Sequence, residues 1–237
     1  MIVDINCDMG EGIGNEEELM PFITSANIAC GYHAGDATTM KQVIRLCQQY
    51  QVHIGAHPSF ADRENFGRIN RQLLPKEIYT LVTDQLKIIT DIANECTAII
   101  HHVKPHGALY NMAANDSILA KAMASAVKDF DSSLIYYGLS GSVMIAEAAN
   151  IGLQTANEVF ADRTYQADGS LTPRTQPNAL IQDVTAVIEH VKKMVHENKV
   201  VAITGETMFV KADTICIHGD GEHAVEFAKA IHKELSG

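Results

Sequence analysis

Side chains that could do chemistry recur in this sequence just after short apolar runs, close to a glycine. The apolar run that ends at Val103 is followed by Lys104, Pro105, His106 and Gly107. A lysine supplies a fixed positive charge, and a histidine exchanges protons near neutral pH. Proline lacks the N–H that a sheet ladder needs, so the pattern predicts a strand, a polar tip and then a helix. Lys104 and His106 are therefore candidates for stabilising charge that develops during a reaction.

Five more polar tips follow the same pattern of apolar run, ionisable residues and helix. They are Asp8 with Glu11, His33 with Asp36, His57, Asp162 with Arg163, and His218 with Asp220. Each tip alone has a structural explanation that stays open, because carboxylates cap helices, histidines pack in cores and Asp162 with an arginine can hold a loop. The guanidinium groups of Arg163 and Arg174 also suit a carboxylate or phosphate ligand.

Helices and strands are expected to alternate along the chain. Apolar spacing predicts a helix from Pro75 to about Cys96, an alanine-rich helix from Asp116 to Phe130, a helix capped by Asn178 that runs through His196, and a last helix from about Ala224. Strands are predicted at 2–5, 25–29, 52–56, 99–103, 134–137, 152–155, 200–204 and 214–217.

This alternation predicts how the polar tips are gathered. Strands that are joined through helices run parallel, so their carboxyl ends lie on one side of the sheet. We expect a single domain over residues 1–237, an α/β fold in the form of a seven- or eight-stranded βα barrel, with the six tips on the face where barrel active sites lie. An open doubly wound sheet is the alternative, since it also binds ligands at strand ends.

The composition excludes some functional classes. The 237 residues carry a net charge of −11, which argues against nucleic acid or an anionic membrane as the main partner. Five cysteines without a C-x-x-C pair, and a start without a signal-peptide pattern, lead us to expect a cytoplasmic protein. The chain has no G-x-x-x-x-G-K-[ST] phosphate loop.

His53 and His57 lie four apart in a predicted strand, about 13 Å from each other, so they do not indicate a shared metal.

The motifs together resemble the LamB/YcsF family of 5-oxoprolinase A subunits. The likeness spans the chain and rests on D-I-N-C-D-M-G-E-G, S-A-N-I-A-C-G-Y-H-A-G-D, I-G-A-H-P-S-F-A-D-R-E-N-F-G-R, V-K-P-H-G-A-L-Y-N, E-V-F-A-D-R-T-Y-Q-A-D-G-S-L-T-P-R and I-C-I-H-G-D. It implies an irregular seven-stranded βα barrel of the TIM-like, glycoside hydrolase and deacetylase type. It also implies ATP-dependent opening of 5-oxo-L-proline to L-glutamate with two other subunits. Because the chain has no recognisable nucleotide loop, we expect ATP, with Mg²⁺, to be handled mainly by those partners.

Residue roles for this reaction are hypotheses that rest on residue type and on position at one face of the barrel. Arg163 or Arg174 would bind the substrate carboxylate, Lys104 and His106 would stabilise the reacting oxygen, and Asp8 or His57 would act as general base. Glu11 and Asp220 would orient their partners, and the remaining substrate-binding candidates are His33, Asp36, Asp162 and His218.

Two other functions stay open at this point. In the first, Asp8, His33, His57 and His106 bind a divalent metal for hydrolysis, as in the related deacetylase barrels; the main hypothesis assigns no metal ligand. In the second, the chain is a non-catalytic subunit that only presents substrate to its partners.

Overall fold

The computed structural model describes residues 3–236, and seven parallel strands close into a barrel within this range. The barrel strands, in spatial and chain order, are β1 (Asp4–Met9), β2 (Ser25–Ala29), β3 (His53–His57), β4 (His102–Val103), β5 (Ile135–Leu139), β6 (Gln154–Phe160) and β9 (Thr214–Ile217). β9 pairs with both β6 and β1 and so completes the ring. The βα barrel expected from the sequence is confirmed, and the open sheet is excluded.

Helices surround the barrel and connect its strands. They are α1 (Glu16–Leu19), α2 (Ala37–Tyr50), α3 (Pro75–Glu95), α4 (Gly107–Ala113), α5 (Ser117–Phe130), α6 (Val143–Asn150), α7 (Val184–His196) and α8 (Ala224–Ser236), with a 3₁₀ turn at Met20–Phe22. α2 and α5 begin where Asp36 and Asp116 accept hydrogen bonds from backbone N–H groups of the first turn. Their apolar faces pack on the strands and form one continuous core.

The structure corrects the predictions for the stretch from β6 to the residues after α7. α7 begins after Asp183, whose side chain caps it, and not at Asn178. β6 continues to Phe160, so that Glu158 lies inside a strand and not in the tip that follows it. The strand predicted at 200–204 is replaced by β7 (Lys199–Val201), which pairs with β8 (Thr207–Phe209) in a separate antiparallel sheet.

The start of the fourth strand is also corrected. Ile99 is 86% exposed and precedes the strand, which contains only His102 and Val103. His102 points into the barrel, and a Cβ added at Gly55 of the neighbouring strand would lie only 2.1 Å from its Nε2 atom. Gly55 therefore makes the room that this buried imidazole occupies. Met1 and Ile2 lie outside the described residues, and Ile2 is the first residue of the predicted opening strand.

Candidate active site

The carboxyl ends of β1, β3 and β4 place a cluster of charged side chains at the floor of a cavity of about 610 Å³. Asp8 lies near the end of β1, His57 is the last residue of β3, and Lys104 directly follows β4. Glu11 and His106 come from the loops after β1 and β4 and also line the cavity. All five residues predicted to be catalytic thus lie together, as expected from parallel strands.

Lys104 is the central cation of the floor and is only 2% exposed. Its Nζ donates to Asp8 Oδ1 at 2.8 Å and lies 3.0 Å from Glu158 Oε1, an ion-pair contact without hydrogen-bond alignment. Burial alone would lower the pKa of Lys104, but the adjacent charges, Asp8 foremost, raise it well above its usual value. In turn, His57 and Lys104 outweigh burial and hold the pKa of Asp8 well below its usual range. The resting floor therefore holds an ammonium–carboxylate pair.

Two imidazoles beside this pair face each other through one ring nitrogen each. His57 Nδ1 lies 2.6 Å from the Lys104 carbonyl, and His106 Nε2 lies 2.9 Å from the Phe66 carbonyl, so each of these nitrogens donates. The other two nitrogens, His57 Nε2 and His106 Nδ1, face each other at 3.0 Å. Two lone pairs repel at this distance, so a proton or a metal ion between them would stabilise the contact. Burial lowers the pKa of His106, whereas for His57 the Asp8 carboxylate outweighs burial and raises it. Of the two rings, His57 is therefore the one whose protonated form its surroundings stabilise.

Glu11 and His33 support the imidazole pair. Glu11 Oε1 lies 3.2 Å from His106 Nδ1 and accepts from His33 Nε2 at 3.0 Å. The ring of His33 stacks on that of His106 with centroids 3.9 Å apart, and burial lowers the pKa of His33 to about 4. His33 is buried and does not line the cavity, so in this structure it lies behind Glu11 and positions it.

The donor atoms of Glu11, His33, His57 and His106 lie within 4.8 Å of one another, so a divalent metal is a chemical possibility for this cluster. The rings of His33 and His106 are nearly parallel, at 9°. Because an imidazole lone pair lies in its ring plane, two stacked rings cannot both aim at one ion. Glu11, His57 and His106 are therefore the better ligand set. This set differs from the one that the sequence indicated, which contained Asp8 and His33.

Four more of the predicted residues, Arg163, Arg174, His218 and Asp220, line the wall and mouth of the cavity, and Asp162 lies behind His218 without lining it. Asp162 accepts from His218 Nδ1 at 2.9 Å, and burial of its carboxylate is outweighed by this contact, so the pKa of Asp162 is lowered. Arg163 is buried and donates to the carbonyls of Thr172 and Ala179, which holds the loop after β6. The sequence left open that Asp162 pairs with an arginine to hold this loop. Arg163 does hold the loop, but its hydrogen-bond acceptors are backbone carbonyls. Arg174 and Asp220 lie at the mouth.

Asp36 does not join this group. Its carboxylate accepts from the N–H and hydroxyl of Thr39 at the start of α2, it is exposed, and it does not line the cavity. In the described part of the chain, the hydrogen bonds of the Asp36 carboxylate are those of a helix cap.

Glu158 and Tyr110 are site residues that the sequence did not reveal. Glu158 is fully buried in β6, contacts Lys104 and accepts from the Tyr110 hydroxyl at 2.7 Å. A signal was present, because a carboxylate inside an apolar strand requires a cationic or hydrogen-bonding partner. The predicted strand ended too early, at about residue 155, for Glu158 to be recognised as buried.

The fold and this floor define a class: a seven-stranded parallel βα barrel with a buried cluster of charged and imidazole side chains at the carboxyl ends of its strands. Within residues 3–236, no helix has both the length and the apolar character needed to cross a membrane. The model of the LamB/YcsF family matches residues 3–237, and the chain belongs to this family.

Individual relatives agree with this assignment. A protein of Tolumonas auensis, named as the A subunit of 5-oxoprolinase, is 50% identical, covering 98% of this chain and 95% of the relative. One of the same name from Staphylococcus carnosus is 50% identical, covering 100% and 96%. The crystal structure of the lactam utilization protein from Thermus thermophilus is 39% identical, covers 100% of this chain and 96% of that chain, and superposes with a TM-score of 0.92. A family 4 carbohydrate esterase from Streptomyces lividans, 10% identical with a TM-score of 0.52, shares the fold alone.

Proposed function

We propose that this chain supplies the ring-opening site of an ATP-dependent 5-oxoprolinase, which converts 5-oxo-L-proline to L-glutamate together with partner subunits. The names of the relatives support the substrate and the assembly. The single observation that carries the site is the buried Lys104 ammonium, held between Asp8 and Glu158 beside the facing ring nitrogens of His57 and His106.

A division of labour with the partners fits the sequence. The chain has no phosphate loop of the Walker type, so we assign ATP, with Mg²⁺, mainly to the partner subunits. A lactam is a poor electrophile, and transfer of a phosphoryl group to its carbonyl oxygen makes the ring carbon far more reactive towards water. In this proposal the barrel receives the phosphorylated lactam and adds water to it.

The floor then controls how the adduct breaks down. The carbon that has taken up water bears a phosphate and the ring nitrogen, and either can leave. If phosphate leaves, the lactam forms again and ATP is wasted. If the nitrogen receives a proton, the C–N bond breaks, and the resulting acyl phosphate is hydrolysed to glutamate and phosphate. His57, whose protonated form its surroundings stabilise, is suited to protonate the nitrogen.

The other floor residues have matching roles. Asp8 is ionised and lies 3.4 Å from His57 Nε2, so it can orient the attacking water and take its proton. The Lys104 ammonium stabilises negative charge on the oxygens of the adduct, in a site shielded from bulk water. His106 receives and returns the proton of His57, while Glu11 and Glu158 hold His106 and Lys104 in place.

The test is reconstitution of the complete complex. Glutamate release from 5-oxoproline is measured with ATP and Mg²⁺ for the partners with this chain, for the partners without it, and for this chain alone. We expect release only from the complete mixture. Undiminished release when this chain is omitted would refute the proposal. The mixture without this chain is also given pre-activated substrate. If it releases no glutamate from 5-oxoproline but still opens the ring of the pre-activated substrate, the non-catalytic presenting role is favoured.

A metal-assisted hydrolase is a second candidate, favoured by the convergence of Glu11, His57 and His106. A divalent ion there would polarise the carbonyl or lower the pKa of a bound water. Metal analysis of the purified complex distinguishes the two. A stoichiometric transition metal, with turnover lost on chelation and restored by that metal, supports this candidate. Full turnover in metal-depleted protein supplied only with Mg²⁺ and ATP excludes it.

A further inference from the structure

The cavity carries opposite charges at its two ends. Its floor gathers the carboxylates of Asp8, Glu11 and Glu158 around the Lys104 ammonium and the His57 imidazole, whereas its mouth carries Arg68 and Arg174 around the carboxylate of Asp220. A small molecule with one anionic end is repelled by the carboxylates of the floor and attracted by the guanidinium groups of the mouth. The charge pattern therefore fixes the direction in which an anionic ligand enters.

The two mouth arginines come from different loops and meet at one carboxylate. Arg68, in the loop after β3, places Nη2 2.6 Å from Asp220 Oδ2. Arg174, in the loop after β6, places Nη1 3.9 Å from the same oxygen. The guanidinium of Arg68 also lies over the ring of Phe66, at 4.8 Å from its centroid, which limits its freedom. Each guanidinium has five N–H donors, so one carboxylate leaves most of them available.

Other arginines near the mouth are already engaged. Arg163 also lines the cavity, but it donates to two backbone carbonyls and is buried. Arg63 donates to the carbonyls of Gly31 and Gly35 and does not line the cavity. Among the arginines that line the cavity in the described chain, Arg68 and Arg174 are the two whose guanidinium contacts are with a carboxylate at the mouth.

We propose that Arg68 and Arg174 together bind the carboxylate of 5-oxoproline and thereby determine specificity for an acidic lactam. Asp220 occupies this place in the free protein and holds the two arginines together. With its carboxylate at the mouth, the substrate directs its ring amide to Lys104 and His57 at the floor. This inference rests on the proposed function for the identity of the substrate, and it replaces Arg163 with Arg68 in carboxylate binding.

Kinetics of the assembled complex test the assignment. The variants are Arg68→Gln and Arg174→Gln, and the control is Arg71→Gln, which removes an arginine that contacts Asp62 in the Arg68 loop and does not line the cavity. We expect each mouth variant to raise KM for 5-oxoproline by about tenfold or more, because a charge-assisted contact is lost. KM for ATP should stay within about twofold, and the control should match the wild type. Unchanged KM for 5-oxoproline in both mouth variants overturns the proposal.

A phosphoryl group has similar oxyanion chemistry, so the same experiment must separate the two ligands. If the mouth variants raise KM for ATP, or lower kcat while KM for 5-oxoproline is unchanged, the arginines bind the transferred phosphoryl group, and the carboxylate assignment is overturned. 2-Pyrrolidinone, the neutral lactam without the carboxylate, gives a direct comparison as a competitor. The wild type should favour 5-oxoproline over it by about tenfold or more, and both mouth variants should reduce this preference.

Failure of the proposed function would be visible separately, as absence of glutamate release by the wild-type complex. In that case ligand-observed NMR of this chain with 5-oxoproline and with 2-pyrrolidinone still tests the arginine pair. Stronger binding of 5-oxoproline by the wild type, lost in Arg68→Gln and kept in Arg71→Gln, supports the pair. Equal or absent binding of the two lactams overturns it.

Discussion

The two ends of the barrel interior hold the same kinds of side chain but use them differently. At the amino-terminal end, the carboxylate of Asp4 accepts four hydroxyl hydrogen bonds, two on each oxygen, from Thr24, Ser25, Tyr137 and Thr214 at 2.5–3.2 Å. At the carboxyl-terminal end, Asp8 faces the charged groups of Lys104 and His57 beside an open cavity.

The histidines differ in the same way. His102, in the amino-terminal half, stacks on Tyr137 and contacts the Asn27 side-chain oxygen through Nε2 at 2.8 Å. His57 shares its outer nitrogen with another imidazole and two carboxylates. A buried polar group whose partners are neutral and complete contributes to stability, whereas one that shares a proton or faces a cavity can change state during a reaction. Burial or residue type alone does not separate these two uses.

The largest expected effect is at Lys104. In Lys104→Met, Asp8 and Glu158 remain buried without their cation, so we expect turnover of the complex to fall at least about a thousandfold and the free energy of unfolding to fall by about 3–5 kcal/mol. Glutamate release and urea denaturation measure the two effects. The control is Lys41→Met, which removes an exposed ion pair with Glu95 and should change stability by less than about 1 kcal/mol. Turnover of Lys104→Met within tenfold of the wild type would refute the central role of this ammonium.

Asp4 tests the opposite end. Asp4→Asn replaces a charged acceptor with an amide that can accept on one oxygen only, so we expect a loss of about 2 kcal/mol of stability. Turnover per folded complex should stay within about threefold, because the amino-terminal end of a barrel contributes to stability and not to chemistry. Urea denaturation with parallel assay checks both. A hundredfold loss of turnover with unchanged stability would contradict the distinction between the two ends.

The pH dependence of stability provides a finer test at His102. Burial lowers the pKa of His102 well below its usual value, so the unfolded chain binds a proton there below about pH 6.5 and the folded chain does not. The unfolded state then binds more protons, and stability decreases as the pH falls. Between about pH 6 and 5, His102→Gln should remove up to about 1.4 kcal/mol per pH unit of this decrease. An identical pH slope in wild type and variant would show that the pKa of His102 is not lowered.

The smallest effect is expected at Asp36, where a helix cap and a substrate ligand make different predictions. Asp36→Ala should cost about 1 kcal/mol of stability through loss of the Thr39 hydrogen bonds, with turnover unchanged within about twofold. Asp36→Asn, which keeps a capping oxygen, should recover most of the stability. A rise of tenfold or more in KM for 5-oxoproline in either variant would restore Asp36 to the site.

The sequence was sufficient for the barrel and for the floor because both depend on local patterns. The strand at 25–29 and the helix from Pro75 were found directly, and parallel connections oblige Asp8, His57 and Lys104 to meet. The errors came from long-range effects. The strand at 200–204 had the right pattern but pairs with β8 outside the barrel, and Glu158 was missed because its cation comes from a distant strand.

The contacts that each arginine side chain makes could not be predicted from the sequence either. Arg163 and Arg174 were equivalent candidates until the structure showed that backbone carbonyls occupy the first. Arg68, in a loop dense in charge, could not be distinguished from a solvated residue before its contact with Asp220 was seen.

The central claim is that the carboxyl end of the barrel protonates the leaving nitrogen, and β3 offers a matched pair to test it. His57 ends this strand at the cavity, and His53 begins it at the other end, exposed and stacked on His101. The measurement is phosphate released per glutamate formed, in complexes that carry His57→Gln or His53→Gln. We predict that His53→Gln matches the wild type, while His57→Gln still consumes ATP and releases at least about tenfold more phosphate per glutamate. An unchanged rate and ratio in His57→Gln would contradict the account.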